Sequence, residues 1–174
     1  MKTKPASRSK TVTSTAKSAD ASLTPCLANP FPPGIKVHPI LKAYFSFCMY
    51  KAALKLREKI NGSLENFGIL GPHFGVLSLL VELGPISQVD LGDQMGIDKA
   101  TMVKLLDKLE DKQFIARKTL PADRRVKMIE VTKSGHKVWQ QSAAFRKKTE
   151  EEFLAPLTPT ERKVLKTAIP KLLE

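Results

Sequence analysis

Residues 86–111 read ISQVDLGDQMGIDKATMVKLLDKLED, and their spacing predicts two short helices set around a turn. Ser87 offers an N-cap hydroxyl, and Asp90, three residues on, suits the positive end of a helix. That helix is expected to run to about Met95, where Gly96 breaks it. Asp98 then caps a second helix with the apolar stripe Met102, Leu105, Leu106 and Leu109. Gly92 is small where two helices must approach, and Gly96 permits a positive φ in the turn. Leu91, Met95, Ile97, Met102 and Leu105 fall where a helix-turn-helix buries its contacts. A glycine-punctuated helical hairpin shares this much, so the residues that follow separate the two readings. After Phe114 the apolar period drops to two. Ile115–Thr119 and Val126–Val131 read as strands, with 120–125 as the hairpin tip between them. A helix pair followed at once by a two-stranded ribbon is a helix-turn-helix with a wing.

Beyond the ribbon, Thr132 is expected to cap a long helix carrying Val138, Trp139, Ser142, Phe145 and Phe153. Thr158-Pro159-Thr160-Glu161 has the pattern of a capping box, opening a last helix with Leu165, Ile169, Leu172 and Leu173 as its apolar positions. Upstream, Pro72 suits the first turn of a helix whose stripe is Phe74, Leu77, Leu80 and Val81, stopped by Gly84-Pro85. Before that, a helix is expected from Val37 to about Asn61-Gly62. Its Leu41, Tyr44, Phe45, Phe47, Cys48, Met49, Ala52, Leu54 and Leu56 are too many for one stripe. A helix apolar on several faces must be buried on several faces, which in a small chain suggests one shared between subunits. Residues 1–36 are rich in Ser, Thr and Pro without apolar periodicity. Such a stretch cannot offset its ordering entropy by burial, so it reads as a disordered basic tail.

The 174 residues include 29 Lys+Arg against 17 Asp+Glu, a net charge of +12. The first 36 hold six basic residues against Asp20 alone, and 98–137 hold eleven against six. A chain this basic usually meets a polyanion. Apolar runs are four residues or fewer, far short of the roughly 20 that span a bilayer, so no membrane helix is expected. No apolar stretch follows the N-terminal basic residues, so no secretory signal is expected and the cytoplasm is the anticipated location. Cys26 and Cys48 have no metal-ligand spacing, and His38, His73 and His136 are scattered. Neither a metal nor a cofactor is anticipated. With no Ser-His-Asp order and no phosphate-cradling glycine loop, an enzyme is not expected either.

Residues 86–135 resemble the DNA-binding core of MarR-type (MarR/SlyA) transcriptional regulators. The resemblance rests on the Ser87-to-Met95 helix and on Thr101, Lys104, Leu109 and Glu110 of the second helix. It rests further on the Asp123-Arg124-Arg125 wing tip and on Val131-Thr132-Lys133-Ser134-Gly135. With the helix order on both sides, it covers about Val37 to the C-terminus. Two positions depart from the pattern. Gln113 stands where the family usually has Gly, so a left-handed residue there would cost about 1 kcal/mol. Val103 stands where the family is often polar. The expected fold class is mainly α with a small β-wing. A winged helix-turn-helix over 37–174 would hold a DNA-binding lobe at 71–131, flanked by N- and C-terminal dimerisation helices at 37–62 and 132–174. The resemblance implies a homodimer that sets two recognition helices in successive major grooves of a pseudo-palindromic operator, about 10 base pairs apart.

With Met102, Leu105 and Leu106 buried, Lys99, Ala100, Thr101, Val103, Lys104 and Lys108 are the residues left to face DNA, alongside Ser87 at the first helix. Lys99 or Lys104 could reach guanine acceptors and Val103 a thymine methyl. Arg125 resembles the family's minor-groove arginine and Asp123 its partner, while Arg124 and Lys127 suit phosphates. The family commonly binds small aromatic or phenolic anions that release DNA, which makes the chain an expected repressor. Tyr44, Phe47, Tyr50, Arg57, His73 and Phe74 are the candidate ligand residues, although His73 reads equally as a solvated helix start and Phe47 and Phe74 as core. Cys48 is a candidate peroxide sensor or a buried, inert thiol, with Lys51 its one basic neighbour. A weakly specific architectural DNA-coating protein is the alternative from another class.

Overall fold

The computed structural model describes residues 37–119 and 127–174. Helix α1 is Pro39–Lys42, α2 Phe45–Leu64, α3 Gly71–Leu83, α4 Gln88–Met95 and α5 Lys99–Asp111. Strands β1 Ile86–Ser87, β2 Ile115–Thr119 and β3 Lys127–Val131 form one antiparallel sheet in the order β1-β3-β2. Helices α6 Lys133–Leu154 and α7 Pro159–Ala168 follow, with a final 3-10 turn at Pro170–Leu172. The fold is mainly helical with a small wing sheet, as the sequence implies.

The core forms where α3, α4, α5 and the sheet meet the end of α2. Leu64, Ile69, Val76, Leu77, Leu80, Leu91, Met102, Leu106, Leu109 and Ile129 are fully buried there. Every stripe residue assigned to α5 is buried. In α3, Val76 takes the place expected for Val81, which is half-buried.

Three elements differ from expectation. The first helix is not continuous, because Tyr44 is extended (φ −89, ψ 113) between α1 and α2. No Gly or Pro marks that break. Helix α2 also passes through Asn61-Gly62 and ends at Leu64, with the left-handed Gly68 (φ 68) closing the 3-10 turn after it. The Asn61 carboxamide instead accepts from the Gly71 amide at 2.9 Å, tying α2 to the start of α3. The ribbon has three strands rather than two, since Ile86 and Ser87 pair with Ile129 and Met128. At the C-terminus, Pro170 opens the 3-10 turn, so Leu172 and Leu173 lie beyond the last helix.

Local capping otherwise follows the sequence. Ser87, Asp98, Thr132 and Thr158 each accept from the backbone amide three residues on. Glu161 completes the Thr158 box by accepting from the Thr158 amide at 2.8 Å. These hydrogen bonds from Thr158 hold the Glu161 carboxyl below its usual range. Gln113 is left-handed (φ 59), as its place in the family pattern requires.

The junction after Gln113 is a tight knot. The Thr132 and Ser134 hydroxyls both donate to the Gln113 carbonyl, at 2.7 and 2.6 Å. The Thr132 amide donates to the Phe114 carbonyl at 3.0 Å. Gly135 is buried so closely against Phe114 that a Cβ there would lie 1.9 Å from its carbonyl oxygen. One turn further along α6, the Trp139 indole N–H donates to Ser78 Oγ at 3.0 Å, binding α6 to α3. Both attachments fix the start of α6 to the β2 junction and to α3.

Apolar side chains remain uncovered on the flanking helices. Phe45 is 71% exposed, Val164 58% and Leu173 85%, and Ile40, Tyr44, Tyr50 and Phe145 are exposed too. Among the described residues no single helix is long and apolar enough to cross a membrane.

Candidate nucleic-acid interface

Helix α5 presents one face to the core and the other outward. Lys99, Ala100 and Lys104 are exposed, and Thr101, Val103 and Lys108 are half-buried. The Asp98 cap gives this helix a fixed start. Its carboxylate accepts from the Thr101 amide at 3.0 Å and from the Thr101 hydroxyl at 2.6 Å. Those hydrogen bonds hold the Asp98 carboxyl below its usual range. The Thr101 hydroxyl proton is therefore committed to Asp98. Its oxygen remains an acceptor, suited to an amino group on a base edge rather than to a phosphate.

Ser87 has a similar internal commitment. Its hydroxyl donates to Asp90 at 2.6 Å and accepts from the Asp90 amide at 3.1 Å. Lys127 sits exposed at the tip end of the paired strands, opposite Thr119, with its ammonium 3.1 Å from the Thr119 hydroxyl. Asp123, Arg124 and Arg125 lie outside the described residues.

Besides the core packing of Ile115 and Ile129, the wing is attached to α5 at two places. One is the chain itself through 112–114. The other is Arg117 on β2, whose Nη1 donates to Glu110 at 2.5 Å and whose Nη2 donates to Asp107 at 2.6 Å. Between β2 and the central strand β3, Lys118 pairs with Glu130 at 2.6 Å.

The candidate ligand residues do not form one site. His73 and Phe74 begin α3, beside the C-terminal end of α2. Tyr44, Phe47 and Tyr50 lie at the other end of that helix, and the 17 residues from Tyr44 to Asn61 span about 25 Å at 1.5 Å per residue. Tyr44 and Tyr50 are exposed, and Phe47 and Arg57 are half-buried. The Lys51 ammonium lies near the Phe47 and Tyr50 rings, 5.9 and 6.0 Å from their centroids. Phe74 is core, with the Arg146 guanidinium 5.1 Å from its ring centroid. An apolar groove lies elsewhere. It has a volume of about 410 Å³ between α2, α6 and α7, among Met49, Ala52, Leu56, Phe153, Leu165 and Ile169.

His73 is neither solvated nor open to a ligand. It is 4% exposed, and its Nδ1 accepts from the Leu70 amide at 3.0 Å. The proton of the neutral ring is then on Nε2, which is buried without a partner. Burial first, then the Lys108 and Lys112 charges, lower its pKa from 6.5 to about 4. The unfolded chain thus binds a proton that the folded one refuses between those values. Stability is complete above pH 6.5 and falls as the pH drops toward 4. At pH 5 the loss from this group is about 2 kcal/mol. Urea denaturation at pH 7 and pH 5 is expected to show that loss in the wild type and a smaller one in His73→Gln. Equal losses in both would remove His73 as its source.

Cys48 is exposed rather than buried, because α1 and the start of α2 stand away from the core. Its thiol faces the Lys42 carbonyl at 3.3 Å. Among the described residues no group of three or more His, Cys, Asp or Glu could hold a metal ion.

Comparison with known proteins agrees with this architecture. Residues 71–127 match the sequence model of the MarR family. The match spans α3, the helix pair and β2, and ends at the first residue of β3. That segment carries a MarR-type winged helix, and the solved structures that share the fold include transcriptional regulators. The fold of a cysteine-to-serine mutant of MarR from E. coli, solved with operator DNA, superposes with a TM-score of 0.69 at 21% identity, over 79% of this chain and 100% of that one. A probable transcriptional regulator from Pseudomonas aeruginosa gives 0.70 at 23%, over 76% and 98%. Bordetella bronchiseptica BpsR, whose DNA binding is regulated by 6-hydroxynicotinic acid, gives 0.69 at 22%, over 74% and 98%.

Proposed function

We propose that this MarR-type chain is a sequence-specific homodimeric repressor that a small aromatic or phenolic acid releases from its operator. The observation that carries the reading is α5. Its apolar side is buried in the core and its start is fixed by Asp98, while Lys99, Ala100, Thr101, Val103 and Lys104 point away from that core. A helix held in this way can enter a major groove without rearranging. Lys99 and Lys104 offer donors to guanine, Thr101 an acceptor to adenine or cytosine, and Val103 a methyl contact to thymine. Arg125 in the minor groove, steadied by Asp123, and Arg124 and Lys127 on phosphates complete the proposed contact set. Ser87 supports it through the start of α4.

The uncovered apolar surface of α1, α2 and α7 supports the dimer. An aromatic acid as effector rests on family likeness, and the dispersed positions of Tyr44, Phe47, Tyr50, His73 and Phe74 argue against a single pocket built from them within one chain. The proposed location is the cytoplasm, where the DNA is.

Selection of bound duplexes from a random pool tests the function. The expected result is an enriched pseudo-palindrome bound at least about a thousandfold more tightly than random duplex at fixed salt. Equal affinity for both would favour the architectural alternative. Addition of 6-hydroxynicotinic acid or a panel of phenolic acids should weaken binding to the selected duplex, and no effect from any of them would contradict the effector.

Residues 1–36, with six basic residues against one acid, are proposed to neutralise phosphates without reading sequence. Their removal is expected to reduce the slope of log affinity against log salt by about 0.9 for each phosphate they neutralise, with the selected sequence unchanged. An unchanged slope would mean that this segment stays off the DNA.

A further inference from the structure

The recognition helix and the wing leave each other through three residues, 112–114, at one end of α5. The junction and the apolar packing of Ile115 and Ile129 against the core fix the root of the wing. Arg117 adds a directional polar constraint further along β2. It lies two residues beyond the buried Ile115 on β2, so both side chains share the face turned to α5. Asp107 and Glu110 are three apart on α5 and therefore neighbours on its surface. The guanidinium spans them, one nitrogen to each carboxylate at 2.6 and 2.5 Å, with its side chain only 22% exposed.

We propose that Arg117 is a positioning residue for base reading. Its fork sets the angle between α5 and the wing, and so decides which major-groove and minor-groove steps are read together. The two acids are 52% and 41% exposed, where ion pairs add little to stability, so a role in holding the fold is the weaker explanation. A phosphate contact is the natural alternative for an arginine on such a surface, but each terminal nitrogen already donates to a carboxylate, and those two acids beside it would repel a phosphate. The planar fork also matters: a lysine at this position would keep the charge but could not hold two carboxylates in one plane.

The inference rests on the proposed sequence-specific binding. The test uses the full chain, the duplex selected by the wild type and a random duplex, both at one salt concentration. Arg117→Lys keeps the charge and removes the fork. Asp107→Asn with Glu110→Gln keeps the arginine and removes its acceptors. Circular dichroism melting confirms that both fold at the assay temperature. The ratio of selected to random affinity should fall about tenfold in each, the equivalent of one missing base contact. In the double variant it should fall even though random-duplex affinity rises, because two acidic charges are gone. A wild-type ratio in Arg117→Lys, or equal tightening on both duplexes in the double variant, overturns the strut alone. A wild type with no preferred sequence overturns the binding reading and the strut together.

Discussion

Replacing Gly135 with alanine is expected to destabilise the chain by at least about 3 kcal/mol, a fall of roughly 10 °C in melting temperature. The added Cβ would meet the Phe114 carbonyl oxygen at 1.9 Å and its carbon at 2.8 Å. Those are backbone atoms, and the same carbonyl accepts from the Thr132 amide. Relief by moving Phe114 would break that bond and disturb Gln113, whose carbonyl receives the Thr132 and Ser134 hydroxyls. Relief by moving α6 would pull Trp139 from Ser78. Gly62→Ala is the control. Gly62 lies inside α2 with nothing within 4 Å of a Cβ, so alanine there should stabilise by about 0.5–1 kcal/mol. Thermal melting of both variants checks the pair. A Gly135→Ala protein that melts with the wild type would show that the α6 junction yields more easily than its hydrogen bonds imply.

The second large effect concerns the flanking helices. Phe45 and Val164 are 71% and 58% exposed, and neither contributes to the core. Changing both to Asp should leave the fold of the single chain intact. It should also break the proposed dimer, since two carboxylates per chain would then be buried without partners. The expected outcome is a monomer at micromolar concentration with wild-type helical content. Affinity for the selected duplex should fall at least about a hundredfold, because the second half-site no longer binds intramolecularly. Affinity for random duplex should change much less. Sedimentation and binding measured on the same preparation decide. A variant that still sediments as a dimer would place the interface elsewhere.

Helices with caps and a clear stripe are legible from residue types alone. Asp98, Thr132 and Thr158 mark their starts, and the stripe of α5 is buried residue for residue. The features that escape such a reading depend on contacts distant in sequence. Strand β1 is two residues long and has no period of its own; it exists because Ile86 and Ser87 find β3 more than 40 residues later. Gly135 reads as a helix-opening glycine, while its requirement comes from Phe114. His73 reads as a polar helix start, yet it closes the turn at Leu70 and is covered by the fold. The break at Tyr44 has no local signal. Arg117 reads as one of many basic residues in 98–137, and only the geometry separates it from those facing outward. Of the candidate DNA contacts, the α5 set could be placed on one outward face, while Asp123, Arg124 and Arg125 lie outside the described residues.

The decisive measurement is a hydroxyl-radical and methylation footprint of the wild-type chain on its selected duplex, with the stoichiometry read from the same titration. Two recognition helices related by a two-fold axis should protect two major-groove guanine positions centred about 10 base pairs apart, with two chains per duplex. Protection spread evenly along the duplex, or a single protected groove with one chain bound, would contradict a dimeric winged-helix reader.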